Sequence, residues 1–472
     1  MKRDRSPGVK LFLAAAIGAV LLVPLIMVYA LVSDREAQSR TAQASITAGW
    51  GGEQTVTGPV LVIPYNSRSV QTETVDGKQV TRAIDVRREL FLSPLKQSIE
   101  TDLQPDVKQY SIYRSVIYRS DMTGTASFVL PSDLDRGGVT RDQLLFDQAE
   151  LRFGVSDPRG LTDGTTVRVG NEVQELHPGN GPASTNGSGF STAVEWDGTE
   201  ALAVNWQYGL RGSRSIALIP RGGETEWTVT SPWQHPSFKG DFLPDNRGEE
   251  ADNTEGFTAN YGGITNLALG ESLVNLSDAP APIVDDIHGR TVIDYAPAVS
   301  ERASTKYASI RLIEPVDLYS QVDRSVKYGF LFIGFTFACF FMFDVVAGAR
   351  VAAAEYLLTG IGLVLFFVML LAFAEVIGFA WAYIVASFAM IGLLTSYSAA
   401  VLGGWRRAAM IGGMLTGLYI TLYVLLSLEA WSLMIGSVLL FVALAAVMYA
   451  TRNIDWSGLT GQDNEESFAE AS

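Results

Sequence analysis

Apolar and polar positions divide the chain into an N-terminal apolar stretch, a long polar middle and an apolar second half. Residues 11–32 carry no charge and, at ~1.5 Å rise per residue, reach across a hydrocarbon core of about 30 Å. In the second half, charged and turn residues separate five apolar stretches, near residues 328–346, 353–373, 378–402, 408–428 and 431–450. The pattern predicts a membrane protein with an N-terminal transmembrane helix and a C-terminal bundle of five transmembrane helices.

The first apolar stretch also shares features with a cleaved signal peptide. Lys2, Arg3 and Arg5 form a basic start, and Ala30 follows Val28 and Tyr29 in a segment that passes a small-residue cleavage rule. A signal core needs only ~7 to 15 apolar residues, and this stretch is longer. Its length therefore favours an uncleaved membrane anchor.

The polar middle begins as a helix and then changes its pattern. Residues 33–46 continue the first span, with Glu36 and Arg40 at i,i+4 spacing, so the helix is predicted to leave the membrane as a stalk. After Gly49, short β-branched runs closed by proline predict strands, at 59–64, 126–131, 214–220 and 227–232. Glycine-rich breaks supply the turns, so we expect a large, mainly antiparallel β domain.

Two polar segments interrupt this β pattern. Residues 164–189 are rich in Gly, Thr and Asn and are predicted to be dominated by loops. Residues 241–255 are rich in acids, which leaves either a Ca²⁺ site or a solvated acidic segment. The spacing does not match the EF-hand loop, which favours solvation and predicts no metal site.

The charges orient the predicted spans. If the N-terminus is cytoplasmic, the short loops with Arg350, Arg406, Arg407 and Arg452 are all cytoplasmic as well. The positive-inside rule therefore predicts that both termini are cytoplasmic and that the polar middle is not. The predicted divisions are residues 1–32, the start and first span; 33–327, stalk and β domain; 328–452, five spans; and 453–472, an acidic tail.

Composition excludes several protein classes. Hydrophobic residues make up 48 % of the chain and charged residues 18 %, below the ~25 % usual in soluble proteins. The single cysteine excludes a disulfide scaffold, a cysteine zinc site and an iron–sulfur cluster, and only three histidines are present. A net charge of −15 without a basic tract argues against nucleic acid as a partner. We expect neither a metal nor another cofactor.

The segment from Trp233 to Pro244 is the most concentrated candidate for partner binding. Trp233, His235, Phe238 and Phe242 alternate with prolines that restrict the backbone. His235 suits a general base or metal ligand, but no second histidine or nucleophile is near in sequence, which favours a structural role. Arg211, followed by Gly212 and Ser213, fits either an anion cradle or a turn with a salt-bridged arginine.

Catalysis is not expected, because the chain has no Gly-x-Ser-x-Gly elbow, no His-Glu-x-x-His helix and no Walker loop. Within the apolar half, Glu355 and Glu375 are the candidate intramembrane polar residues, because ionisable groups are costly in hydrocarbon. A relay of protons or ions needs partners at the same depth. The alternative is that both lie at the membrane boundary, in contact with water.

Several motifs resemble the CreD family of bacterial inner-membrane proteins. They occur in the family's order along nearly the whole chain: GPVLVIPY at 58–65, LRGS at 210–213, SPWQHPSFKGDFLP at 231–244, GFTA at 256–259, KYGFLFIGFTF at 327–337, FFMFD at 340–344 and EYLLTGIGL at 355–363. The resemblance implies a multi-pass protein of the Gram-negative inner membrane with residues 33–327 in the periplasm. It also implies a role in envelope integrity and stress tolerance, associated with the Cre two-component regulon and with colicin tolerance.

Two functional hypotheses follow. The first is a non-enzymatic envelope factor, embedded in membrane lipids, whose periplasmic domain binds an envelope protein, a lipid or a cell-wall ligand. The second is a transporter or ligand-gated sensor whose periplasmic domain receives a solute. The short cytoplasmic loops and tail leave no room for an output domain, which argues against a sensor. The sequence leaves open whether copies of the chain form a homo-oligomer.

Overall fold

The structure is a computed structural model. It describes residues 7–75, 78–110, 112–132, 134, 138–247, 256–282, 305–313, 318–346, 352–401 and 404–427, with isolated positions between 434 and 452. The chain forms two compact units. Met1–Thr41 and Val316–Ser472 form the membrane unit, and Ala42–Pro315 forms the β unit.

Helices dominate the membrane unit. Within the described ranges its α-helices are α1 Pro7–Ala48, which extends into the first residues of the β unit, α3 Leu318–Lys327, α4 Gly329–Val346, α5 Ala353–Ile377, α6 Phe379–Val401 and α7 Trp405–Ser427. The short helix α2 Asn266–Leu269 belongs to the β unit. The helix α1 continues without a break to Ala48, and Arg40 pairs with Glu36 at 2.5 Å, as the i,i+4 spacing predicts; the role of this part as a stalk stays a prediction.

Four of these helices are long and apolar enough to cross a membrane: α1, α5, α6 and α7. The helix α4 is apolar but has only 18 residues, near the lower limit of spanning length. Eleven of the twenty residues of the predicted stretch 431–450 lie outside the described part of the chain, so no continuous helix is defined there. The predicted count of five C-terminal transmembrane helices is therefore not supported, and the structure supports three.

One face of α1 packs into the core of the membrane unit. Leu21, Leu25, Val28 and Val32 are buried there at spacings of three and four residues, which place them on one side of a helix. A Cβ added at Gly360 would lie 2.0 Å from the Leu21 side chain, so glycine is needed for the close approach of α1 to α5.

Sheet 1 of the β unit has nine strands. They are β1 Gln54–Val75, β2 Lys78–Leu92, β5 Ala149–Val155, β8 His177–Pro178, β9 Gly189–Val194, β11 Ser215–Ile219, β13 Pro236–Gly240, β16 Val274–Asn275 and β17 Ala308–Leu312. The spatial order is β13-β17-β11-β1-β5-β9-β8, while β2 pairs with β1 and β16 pairs with β2.

Sheet 2 has eight strands. They are β3 Lys96–Tyr110, β4 Tyr113–Phe128, β6 Thr166–Val169, β7 Glu172–Val173, β10 Leu202–Ser213, β12 Glu224–Ser231, β14 Asn246–Arg247 and β15 Phe257–Thr265. Their order is β14-β15-β12-β3-β4-β10-β6-β7. Only the pairs β1/β11 and β3/β12 are parallel among the described strands, so the predicted mainly antiparallel β domain is confirmed.

One hydrophobic core joins the two sheets. Leu61 and Ile63 of sheet 1 belong to the same buried cluster as Ile99, Leu103 and Tyr118 of sheet 2. Strand β3 shows the alternation that produces this core, because its odd-numbered residues from 97 to 103 are buried and its even-numbered ones are largely exposed. The even-numbered side chains therefore form part of an outward face of sheet 2.

The structure describes the two polar segments predicted from the sequence to different extents. Residues 164–189 contain β6, β7 and β8, so the segment predicted to be mostly loop also contributes short strands to both sheets. In the acidic segment, residues 248–255 lie outside the described range. The Asp241 carboxylate accepts a hydrogen bond from the Tyr307 N–H at 3.0 Å, and that of Asp245 accepts one from the Gly262 N–H at 2.9 Å.

Candidate functional site

A polar groove lies on the outward face of sheet 2, with a cavity volume of about 440 Å³. Eight polar side chains line it in two rows that run across β3, β4, β10 and β6. One row is Ser98, Thr125, Asn205 and Arg168, and the other is Glu100, Thr123, Gln207 and Thr166. Strand pairing thus brings together residues that are far apart in sequence.

Side-chain packing on the inner face of the same sheet fixes the strands that form the groove. Trp206 points into the core, where its ring meets Phe153 edge to face at 5.8 Å between centroids. Gly124 on the neighbouring strand lies against Trp206, and a Cβ at Gly124 would come within 2.2 Å of the indole ring. Any side chain at Gly124 would therefore displace Trp206 from beneath the groove.

The groove side chains are available for a ligand. Across the described part of the chain, none of the eight has a hydrogen-bond or ion-pair partner in the protein. The set offers two amides, several hydroxyls, one carboxylate at Glu100 and one guanidinium at Arg168. These groups donate and accept hydrogen bonds but provide little apolar surface, so the groove suits a hydrophilic ligand.

The aromatic residues predicted to bind a partner lie elsewhere, within and next to the strand β13 of sheet 1. Trp233, Phe238 and Phe242 are half-buried and pack against the core of the β unit. The Trp233 indole N–H donates to the Ile313 carbonyl oxygen at 3.1 Å, and Phe238 meets Phe257 edge to face. Much of the aromatic surface is therefore occupied within the protein.

His235 is exposed in this segment. Its carbonyl oxygen accepts a hydrogen bond from the Ile313 N–H at 3.3 Å, which ties the backbone to the end of β17. Within the described residues there is no cluster of three or more His, Cys, Asp or Glu side chains that could hold a metal ion. The partner-binding role predicted for this segment stays a prediction.

Arg211 is separate from the aromatic segment. It lies near the end of β10, directly opposite Arg119 of β4, and both side chains are exposed. The Arg211 guanidinium carbon is 5.0 Å from the ring centroid of Trp50, so the guanidinium lies against an indole ring. Of the two predicted environments of Arg211, an anion cradle and a turn with a salt-bridged arginine, the turn is not observed, because Arg211 belongs to a strand.

A tight turn after α1 brings Trp50 to Arg211. Gly51 has φ +148°, and a Cβ there would lie 2.7 Å from the Arg211 carbonyl oxygen, so glycine is required. The Gly52 N–H donates to the Asp157 carboxylate at 3.1 Å. Hydrogen bonds from the Arg159 side chain and from Gly52 hold the pKa of the Asp157 carboxyl below its ordinary value, so this carboxylate stays charged and secures the turn.

Glu355 and Glu375 lie at opposite ends of α5. The Glu355 carboxylate accepts a hydrogen bond from the Ala352 N–H at 2.8 Å, which caps the start of the helix. The Glu375 carboxylate accepts one from the Tyr319 hydroxyl of α3 at 3.2 Å. The two carboxylates thus lie a helix length apart, and both the relay and the membrane-boundary interpretation stay predictions.

Sequence reasoning missed the groove and the surroundings of Trp50. The alternation of polar and apolar residues in β3, β4 and β10 was a signal for an outward polar face. It contained no information on register, and register decides which polar residues become neighbours.

Comparison with known proteins places this fold in a family. The family model for "Inner membrane protein CreD" matches residues 6–457. The chain is also 30 % identical to the inner membrane protein CreD of Escherichia coli (strain K12), over 93 % of this chain and 92 % of that protein.

Proposed function

Because the chain belongs to the CreD family of inner membrane proteins, we propose that it supports cell envelope integrity through a β unit that lies in the periplasm and binds an envelope component. The polar groove is the observation that carries this proposal, since eight unpartnered polar side chains surround about 440 Å³ among the described residues. The ligand class is hydrophilic, such as a cell-wall glycan or an extended peptide of an envelope protein. The proposed role is binding without catalysis.

The proposed topology has six spans, with residues 328–346 and 431–450 added to the four long helices. Every short-loop base then lies on one side, including Arg350, Arg406, Arg407 and Arg452. That side is the cytoplasm, which also holds both termini, and the β unit is on the other side.

Cysteine labelling tests this topology. In a Cys339→Ala background, single cysteines at Gly404 and Ser457 are expected to resist an impermeant thiol reagent in intact spheroplasts, while one at Ala203 is expected to react, because Ala203 is exposed on the β unit. Lysed cells provide the control, since all three positions should then be accessible from the bulk solution. Labelling at position 404 in intact spheroplasts would contradict the proposed topology.

The groove is tested by removing its two amides. The double variant Asn205→Ala and Gln207→Ala is expected to impair envelope-stress tolerance at normal membrane abundance. Two lost hydrogen bonds cost about 1 to 3 kcal/mol of binding free energy. The measurement is survival of complemented deletion cells under detergent stress, with immunoblotting of the membrane fraction.

Asn260→Ala is the matched control, because Asn260 is an exposed amide of the same sheet outside the groove. It should retain full tolerance. Normal tolerance of the double variant at normal abundance would refute the role of the groove.

A further inference from the structure

Three cationic side chains surround one indole ring on the outward face of sheet 2. The Lys108 ammonium nitrogen is 5.4 Å from the ring centroid of Trp50, the Arg119 guanidinium carbon 5.4 Å and the Arg211 guanidinium carbon 5.0 Å. The three residues come from the adjacent strands β3, β4 and β10. We call them, with Trp50, the cationic cluster.

The ring at the centre of the cationic cluster is held by the backbone. The Trp50 indole N–H donates to the Tyr118 carbonyl oxygen at 3.2 Å, and the Trp50 backbone N–H donates to the Thr47 carbonyl oxygen at 3.1 Å. The Tyr118 side chain is buried and its hydroxyl donates to the Ser215 carbonyl oxygen at 2.8 Å. Trp50 therefore forms a fixed platform, whereas the three cations around it are exposed.

The charges of the cationic cluster are not compensated within the described part of the protein. Lys108, Arg119 and Arg211 have no acidic partner there, although the chain as a whole has a net charge of −15. Arg119 lies directly opposite Arg211 in the sheet, an arrangement in which like charges repel. Elsewhere in the β unit a packed arginine has carboxylate partners, as Arg152 has in Glu89 and Glu150.

The acids nearest in register, Asp102, Asp106 and Asp121, form no ion pair with the three cations among the described residues. Asp102 and Asp121 face each other two residues along their strands from Gln104 and Arg119. Both carboxylate oxygens of Asp102 accept hydrogen bonds from the Gln104 side chain, at 2.9 and 3.1 Å. Within the described part of the chain the three cations thus have no ion-pair partner, around a platform that the backbone keeps in place.

We propose that the cationic cluster binds a phosphate group. A guanidinium presents paired N–H donors that match two phosphate oxygens, and an ammonium adds a third point of charge. A bound phosphate removes the repulsion between Arg119 and Arg211. The phosphate comes either from solution or from the headgroup of an anionic lipid. This site is separate from the polar groove and does not depend on the function proposed for it.

Calorimetry on the full chain tests the proposal. The protein, in phosphatidylcholine nanodiscs at constant ionic strength, is titrated in one arm with inorganic phosphate and in the other with dihexanoyl phosphatidylglycerol below its micelle concentration. Dihexanoyl phosphatidylcholine is the matched zwitterionic probe. Binding of inorganic phosphate assigns the solution source, and binding of phosphatidylglycerol alone assigns the headgroup source.

The double variant Arg119→Gln and Arg211→Gln is expected to weaken that binding by on the order of tenfold or more. Arg87→Gln with Arg88→Gln removes the same charge from exposed positions of β2 and should leave binding unchanged. Lys108→Gln, a milder change, should give a smaller loss in the same direction. Absence of binding by wild-type protein in both arms, or an equal loss in the β2 variant, would overturn the proposal.

Discussion

Arg221→Ala is expected to lower the free energy of unfolding of the β unit by about 3 to 5 kcal/mol, because it removes one partner of a buried ion pair. The Arg221 guanidinium lies 2.7 Å from the Asp278 carboxylate, with side chains only 2 % and 9 % exposed. The Asp278 carboxylate also accepts a hydrogen bond from the Ala183 N–H. Without Arg221 it would remain buried and charged, with little solvent to stabilise it.

Pulse proteolysis of the full-length protein over a urea series measures this loss. Arg68→Ala is the control, because Arg68 pairs with Asp85 at 3.6 Å while both side chains are at least 80 % exposed. Such surface pairs contribute about 0 to 1 kcal/mol. Equal midpoints for the two variants would contradict the account of Arg221.

Trp227→Ala is expected to destabilise the β unit to a similar extent, about 3 to 5 kcal/mol. Trp227 is fully buried and stacks on Tyr261 with 5.0 Å between ring centroids. Its indole N–H donates to the Thr101 hydroxyl at 3.0 Å. Truncation leaves a large cavity between the sheets and an unpartnered buried hydroxyl.

Trp233→Ala is the matched comparison in the same proteolysis experiment. Trp233 is only half-buried, so less apolar surface becomes exposed and a smaller shift of the midpoint is expected. Trp227→Phe, which keeps most of the volume, should recover part of the stability. A Trp227→Ala protein as stable as Trp233→Ala would show that the core around Trp227 collapses without cost.

The strands could be predicted from their residues, but their lengths could not. The run 59–64 ends in a proline, yet β1 continues to Val75. The carbonyl oxygen of Pro64 accepts a hydrogen bond from the Leu145 N–H at 2.8 Å, so the missing N–H of Pro64 faces this loop and not β2. At such a position proline removes no hydrogen bond between the paired strands. Which strand positions face away from a partner is known only once the strand pairing is known.

The candidate site was less predictable than the fold. The sequence identified Arg211 as a directional donor, but Trp50 lies about 160 residues earlier and contacts it only because a turn after α1 returns the chain to β10. The aromatic segment around Trp233 is conspicuous in sequence, and packing against the core accounts for much of its composition. Hydrophobic patterning thus predicts layers, whereas sites depend on register between distant strands.

The parallel pairing of β1 with β11 has a consequence for biosynthesis. Gln54 pairs with Ile216, and β11 in turn pairs with β17, which ends at Leu312. The strands of sheet 1 therefore cannot all pair until almost the entire β unit has been synthesised. At 5–20 residues per second, this synthesis takes on the order of tens of seconds. During this time the helix α1 is already complete while its following strands lack their partners. Such non-local pairing slows folding and leaves the edges of the completed strands without partners over this interval.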